Sequence, residues 1–206
     1  MAHHFNNKLQ VIIFAIENTL LSIGPSQEVS RSLELGLKAT DSLLVLVSNL
    51  QAYAGNLPMH PVPVQVNELL DIVQLRSGVP PNQSLHFTAP EHAAEVVVDK
   101  LMLGRAVQEL IKNAVESGNE GGELHLRVVT DATHCRIRLV DSGTGFRNVP
   151  TSSAAVPFVT TDPISHGGLG LSFVYGVTER HGGTLRIEDS EEGGSIVSIL
   201  LPLIPR

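Results

Sequence analysis

The chain has little of what marks several large protein classes. Its 206 residues include one cysteine, Cys135, and no tryptophan. A single thiol excludes an internal disulfide framework and fits a reducing compartment, so the expected location is cytoplasmic. Charged residues make up only 17% of the chain, Lys and Arg form no cluster, and the formal net charge is −7. That balance argues against nucleic acid or an anionic membrane as a partner. The longest purely apolar run, Val11 to Ile16, is far too short to span a bilayer, and no charged-then-apolar leader is visible. What is present is a hydrophobic share of 42%, enough for a real core in one ordinary domain or two small ones.

Two textures follow one another along the chain. Apolar residues at Phe5, Leu9, Ile12, Ile16, Leu20 and Ile23 recur mostly by three and four, one stripe of an amphipathic helix. Gly24 and Pro25 break it, Ser26 is a candidate N-cap, and a second stripe runs through Val29, Leu33, Leu37, Thr40, Leu44, Val47 and Ala54. Helices joined by so short a loop lie antiparallel, and a lone hairpin leaves one apolar face wet. A symmetric dimer closing a four-helix bundle is the economical solution; the alternative is packing on the rest of the same chain. "GNLPMHPVP" then reads as a linker.

Beyond it the pattern is mixed. "VPVQV" and "SLHFTA" predict strands, with a helix over "VNELLDIVQL" between them. "DKLMLGRAVQELIKNAVESG" is a strongly amphipathic helix, and "GGELHLRVVTD" and "THCRIRLVDSG" alternate as half-buried antiparallel strands do. "LGLSFVYGVTERHGG" is a helix ending at a glycine, and "TLRIEDS" and "GSIVSILLPL" close the sheet. The predicted fold class is α+β: an N-terminal antiparallel helical hairpin followed by an α/β sandwich with a mostly antiparallel sheet.

Three constellations carry chemistry. Glu109 and Asn113 are four residues apart on one helix face, placed to order water and offer oxygen ligands to Mg2+, or simply to be solvated. In "DSGTGF", Asp141 is an acceptor at a strand end, and Gly143 and Gly145 let the backbone approach a ligand closely; the same stretch also reads as a hairpin turn. In "HGGLGLSFVYGV", Gly167, Gly168 and Gly170 stand directly before a helix, a seat for anionic oxygens that lacks the Gly-Lys-Ser or Gly-Lys-Thr of a P-loop. The pair His3 and His4 is a poor chelate, because adjacent helical residues diverge by about 100°. Asn7, four residues after His3, shares its face.

The order of these pieces adds more than any one of them. "ELIKNA", "DSGTGF", "PFVTTD" and "GGLGLS" resemble, in family order, the N, G1, F and G2 boxes of the histidine kinase ATP-binding domain, and "AHHFNNKLQVI" resembles that family's H box. The resemblance covers essentially the whole chain. It implies a dimerisation and phosphotransfer hairpin over 1–56, a linker with the first strand over 57–66, and a catalytic ATP-binding domain over 67–206. It makes His3 the phospho-accepting nucleophile and Asn7 the holder of a water for the reverse, phosphatase reaction. Asn113 becomes the Mg2+ ligand, with Glu109 ordering water beside it, and Asp141 the acceptor for the adenine amino group. Gly143, Gly145, Gly168, Gly170 and Leu171 shape the nucleotide pocket, and Phe158 rides on a mobile lid from about Arg147 to His166. The implied cofactors are ATP and Mg2+, and the implied partners are a second copy of the chain and a response regulator.

Three departures stand out. His4 replaces the usual acidic residue after the acceptor and becomes a substitute base, active as neutral imidazole near pH 7. Asp162 stands where a Lys is usual, and His166 replaces the first glycine of the G2 box. They leave a second reading open, a phosphotransfer adaptor with a degenerate ATP site. The nearness of His3 to the chain start leads us to expect a fragment or truncated gene, its sensor domain lost or supplied in trans.

Overall fold

The computed structural model describes residues 2–22, 27–68, 79–90, 94–118, 122–146, 150–159, 168–190 and 193–204. The chain divides into two compact units, Met1–Gln51 and Ala52–Arg206.

The first unit is built from α1 (Ala2–Ser22) and α2 (Gln27–Tyr53), whose last residues belong to the second. The helices approach at Gly36, where a Cβ would lie 3.3 Å from Ile16 Cδ1. Leu9 and Thr40, both on the expected stripes, are buried. Ile12, also on a stripe, is exposed, and so are Val11, Phe14 and Leu21 on α1 and Leu35, Leu43 and Val45 on α2. The apolar surface of these helices is therefore wider than the two stripes, a feature that a period count along one row does not reveal. The expected loop at 24–26 lies outside the described residues, as does the expected helix beyond residue 68. Among the described residues, no helix is long and apolar enough to cross a membrane.

The second unit is centred on a five-stranded sheet of order β2-β4-β5-β7-β6. Its strands are β2 (Ser84–Thr88), β4 (Glu123–Thr130), β5 (His134–Asp141), β6 (Thr184–Asp189) and β7 (Ser195–Pro202). Only β2 and β4 pair in parallel; the other pairs are antiparallel. The two-residue alternation puts Leu124, Leu126 and Val128 of β4 and Cys135, Ile137 and Leu139 of β5 into one core. Onto that face pack α3 (Lys100–Ser117), through Leu103, Val107, Leu110 and Ile111, and α4 (Gly170–Arg180), through Phe173, Val174 and Val177. Burial pushes the Cys135 thiol up to about 12, so it packs as a small apolar group and not as a nucleophile. A second, two-stranded sheet pairs β1 (Val62–Gln65) with β3 (Glu95–Val98). β3 is absent from the sequence-based expectation, because four residues, "EVVV", offer too short a period to distinguish.

The junction of β3 and α3 is tied to the end of α4. Asp99 caps α3, its Oδ1 accepting from the backbone N–H of Leu101 and Met102 at 3.0 and 3.1 Å. Burial works against the Asp99 carboxylate, but the backbone donors of His60, Met102 and Leu101 together hold its pKa below the ordinary value. The Asp99 N–H donates to His181 Nε2 at 2.8 Å, and His181 Nδ1 lies 2.8 Å from the Val177 carbonyl. An Nε2 that accepts and an Nδ1 that donates define one neutral tautomer. Burial lowers the His181 pKa below its ordinary value, in keeping with that pattern.

The unfolded chain therefore takes up this proton before the folded one does, and stability rises with pH across the window. The His181 contribution is complete above about pH 6.5 and is lost as pH falls from there towards the folded pKa. Urea midpoints measured from pH 8 to pH 5.5 should show wild type losing its advantage over His181→Gln as pH falls. A difference between the two that is constant with pH would remove His181 as the titrating group.

Candidate functional site

Segments distant in sequence converge at one end of the second unit. Glu109 and Asn113, half-buried on the last turns of α3, flank Gly170, the first residue of α4. A Cβ at Gly170 would lie 3.0 Å from Asn113 Nδ2, 3.1 Å from its Oδ1 and 3.3 Å from Glu109 Oε2. A helix N-terminus, with its outward N–H groups, thus abuts a carboxylate and an amide. The turn leading into it is held by Gly168, in the left-handed region at φ +63°, whose carbonyl accepts from the Phe158 N–H at 3.0 Å. Phe158 is itself left-handed, at φ 68°, and its ring is exposed. For a bulky residue this backbone is strained and marks a position held by its surroundings. Leu171 is part-buried against the core.

One turn before Glu109, the Arg105 guanidinium lies over the Phe173 ring, 4.1 Å from its centre, and links α3 to α4. Burial lowers the Arg105 pKa, and the charge of Glu109 opposes that shift. Sequence reading passed Arg105 over, although its spacing of four from Glu109 is the available signal.

Asp141, at the end of β5, is buried. Its Oδ1 accepts from the N–H of Gly143 at 2.8 Å and of Ser195 at 3.2 Å, and its Oδ2 accepts from the Ser195 hydroxyl. A carboxylate has about four acceptor directions, so one remains for a further donor. The glycines that follow fold the loop against the chain itself. A Cβ at Gly143 would lie 2.6 Å from the Ser117 carbonyl, which also accepts from the Thr144 N–H at 3.3 Å. Gly145, at φ +64°, faces the Gly194 carbonyl, and the Phe146 N–H donates to Asp189 Oδ1 at 2.7 Å. The close approach that the structure shows at Gly143 and Gly145 is to Ser117 and the β6–β7 turn of the chain itself, and not to a ligand. Ser117, Asp189, Gly194 and Ser195 were not singled out from the sequence; the only local sign was the Gly-Gly-Ser entry into β7.

His3, His4 and Asn7 lie on α1, and their side chains fall outside what is described. Asp162, His166 and half of the expected lid also lie outside the described residues. Among the described residues no group of three or more His, Cys, Asp or Glu is arranged to hold a metal ion. Glu109 and Asn113 nevertheless fit Mg2+, a hard cation that takes one or two protein oxygens and completes its shell with waters and substrate phosphates.

Residues 98–205 match the family described as histidine kinase-, DNA gyrase B-, and HSP90-like ATPase. An NtrY-like sensor histidine kinase of Rickettsia felis is 28% identical over 98% of this chain and 35% of its own length. The sensor histidine kinase ZraS of Escherichia coli is 29% identical over 58% of this chain and 25% of its own. The kinase/phosphatase MprB of Mycolicibacterium vanbaalenii is 35% identical over 49% and 22% respectively. The chain spans about a third or less of the length of these relatives. Among solved structures, a mycobacterial sensor histidine kinase MprB aligns with a TM-score of 0.59 and 27% identity over 71% of this chain and 100% of that one. Full-length ShkA in complex with AMPPNP aligns with a TM-score of 0.81 over 98% of this chain and 44% of its own, at 20% identity, a likeness of fold alone. The matched span takes in more than half of the chain and every element of the convergent site, from α3 to β7, and the chain therefore belongs to the family of histidine kinase-, DNA gyrase B- and HSP90-like ATPases.

Proposed function

We propose that this chain is the core of an ATP-dependent protein-histidine kinase of two-component signalling. The observation that carries the reading is the meeting of Asn113 and Glu109 with the N-terminus of α4 at Gly170, at the same end of the sheet as Asp141. The open acceptor direction on Asp141 suits the amino group of adenine, and the glycine turn at Gly168 with the first N–H groups of α4 suits phosphate oxygens. Asn113, with Glu109 beside it, would hold Mg2+, which supplies neutralisation of the phosphate charge.

In this reading a neutral imidazole nitrogen of His3 attacks the γ-phosphorus. The P–N bond forms as the bond to the β–γ bridging oxygen breaks, and ADP leaves. The second imidazole nitrogen then gives its proton to His4, which stands in for the usual carboxylate. The phosphoryl group passes to an aspartate of a response regulator, and in the opposing phosphatase reaction Asn7 holds the water that hydrolyses the phosphoaspartate to aspartate and inorganic phosphate. Incubation with γ-labelled ATP and Mg2+ tests the reading directly: the chain should acquire acid-labile, base-stable phosphate. A chain that binds ATP poorly in the presence of Mg2+ and stays unlabelled would instead be the phosphotransfer adaptor with a degenerate ATP site, which the kinase relatives do not favour.

The division into a phosphotransfer hairpin over 1–56, a linker with the first strand over 57–66 and an ATP-binding domain over 67–206 belongs to the same proposal, as does dimerisation through α1 and α2. The exposed Val11, Phe14 and Leu21 of α1 and Leu35 and Leu43 of α2 support a four-helix bundle formed with a second copy. The full chain should sediment as a dimer in a concentration-dependent equilibrium. A strict monomer at high concentration would rule the bundle out.

A further inference from the structure

The residues that lead from α2 to β1 read as a free linker, yet they lie strapped along the second half of α4. On α4, a Cβ at Gly176 would overlap the Ala52 carbonyl and lie 2.6 Å from the Tyr53 nitrogen, so only glycine allows this approach. The Tyr53 and Tyr175 rings touch at 5.7 Å between centres, tilted by 42°. Arg180 Nη1 donates to the carbonyl of Gly55 at 2.8 Å and also to that of Leu57. Further along, the His60 N–H donates to Asp99 Oδ2 at 2.8 Å, and Asp99 in turn bonds His181 at the end of α4. Residues 52–60 are thus held by one face of α4 and, at His60, by Asp99 at the start of α3.

The other end of the same helix is Gly170, against Asn113 and Glu109. Between the two ends, Phe173, Val174 and Val177 are fully buried. A well-packed helix of this length moves as a body, so the glycine turn before it and the grip on residues 52–60 share one set of motions.

We propose that α4 couples this strap to the nucleotide site, so that strap engagement and ATP binding favour each other. The proposal rests on the nucleotide reading of the Gly168–Gly170 turn given above. Phosphate oxygens at that turn fix the position of α4, and with it the surface that Gly176 and Arg180 present. An engaged strap removes the same freedom beforehand, so each event costs less conformational entropy once the other has occurred. The coupling is reciprocal: the factor by which the strap tightens ATP is the factor by which ATP tightens the strap. Residues 51 and 52 join the two compact units, so the strap is the first part of the second unit that follows α2 along the chain.

The test uses the full chain, with hydrogen exchange read at residues 52–60 and ATP affinity read by calorimetry in the presence of Mg2+. Saturating ATP should slow strap exchange about fivefold or more, and Gly176→Ala and Arg180→Ala should each speed it and weaken ATP by a similar factor. Arg180→Lys, which keeps a donor for one carbonyl, should recover part of both. Should Gly176→Ala fail to fold, Arg180→Ala, a surface change, gives the same two readings. Faster strap exchange with unchanged ATP affinity would overturn the coupling alone, as would wild-type chain that binds ATP with no change in the strap. Wild-type chain that binds no ATP would overturn the nucleotide reading and the coupling with it.

Discussion

His3→Ala should abolish acid-labile phosphorylation while leaving ATP affinity at the wild-type value. The imidazole supplies the only nitrogen proposed to attack the γ-phosphorus, and alanine offers no nucleophile in its place. His4 cannot take over, because consecutive positions on α1 point about 100° apart. The side chains proposed to hold nucleotide, from Glu109 to Leu171, all lie within the family-matched span 98–205, and none is on α1. Binding and labelling should therefore separate cleanly in one variant. The measurement is label retained after acid and after base, alongside calorimetry with ATP and Mg2+. Acid-labile, base-stable label on the variant would place the acceptor at another histidine.

Asp141 allows two substitutions with different outcomes. Asp141→Ala removes the acceptor for the N–H groups of Gly143 and Ser195 and for the Ser195 hydroxyl. Two backbone donors left without a partner cost about 1–3 kcal/mol each, so stability should fall by roughly 2–6 kcal/mol, and ATP binding should fall with it. Asp141→Asn keeps one oxygen for both backbone donors, and the Ser195 hydroxyl can turn to accept from the new amide. Its stability should stay near wild type. The amide nitrogen, however, now meets the adenine amino group donor to donor, and a mispaired contact of about 1–3 kcal/mol lowers affinity roughly tenfold or more. Guanine nucleotides should bind poorly to wild type, because they present an oxygen where adenine presents the amino group. Denaturant unfolding and ATP titration on the same samples separate the two effects. Wild-type ATP affinity in Asp141→Asn would leave Asp141 as an organiser of the turn alone.

The sequence by itself determined the elements whose residues repeat with a period. The three-and-four spacing through "LMLGRAVQELIKNAVES" and the alternation in "ELHLRVVT" and "HCRIRLVD" reappear as α3, β4 and β5, because a core on one side selects those periods locally. The glycine past the last turn of α4 was legible for a different local reason: Gly182 adopts φ +68°, which few other residues tolerate. The sequence also held the meeting of Glu109 with Asn113, since four residues on a helix make one face. Tertiary structure alone decided contacts between residues far apart in the chain. Arg180 bonds Gly55 across 125 positions and Ser195 bonds Asp141 across 54, and no local pattern encodes either partner. Gly143 and Gly145 suggested close backbone approach to a ligand, and the fold instead brings Ser117 and the β6–β7 turn of the chain itself against them. A linker composition of glycine and prolines signals only that the backbone makes no regular ladder there. Whether such a segment swings free or lies pinned to a helix depends on donors and surfaces that folding brings from elsewhere.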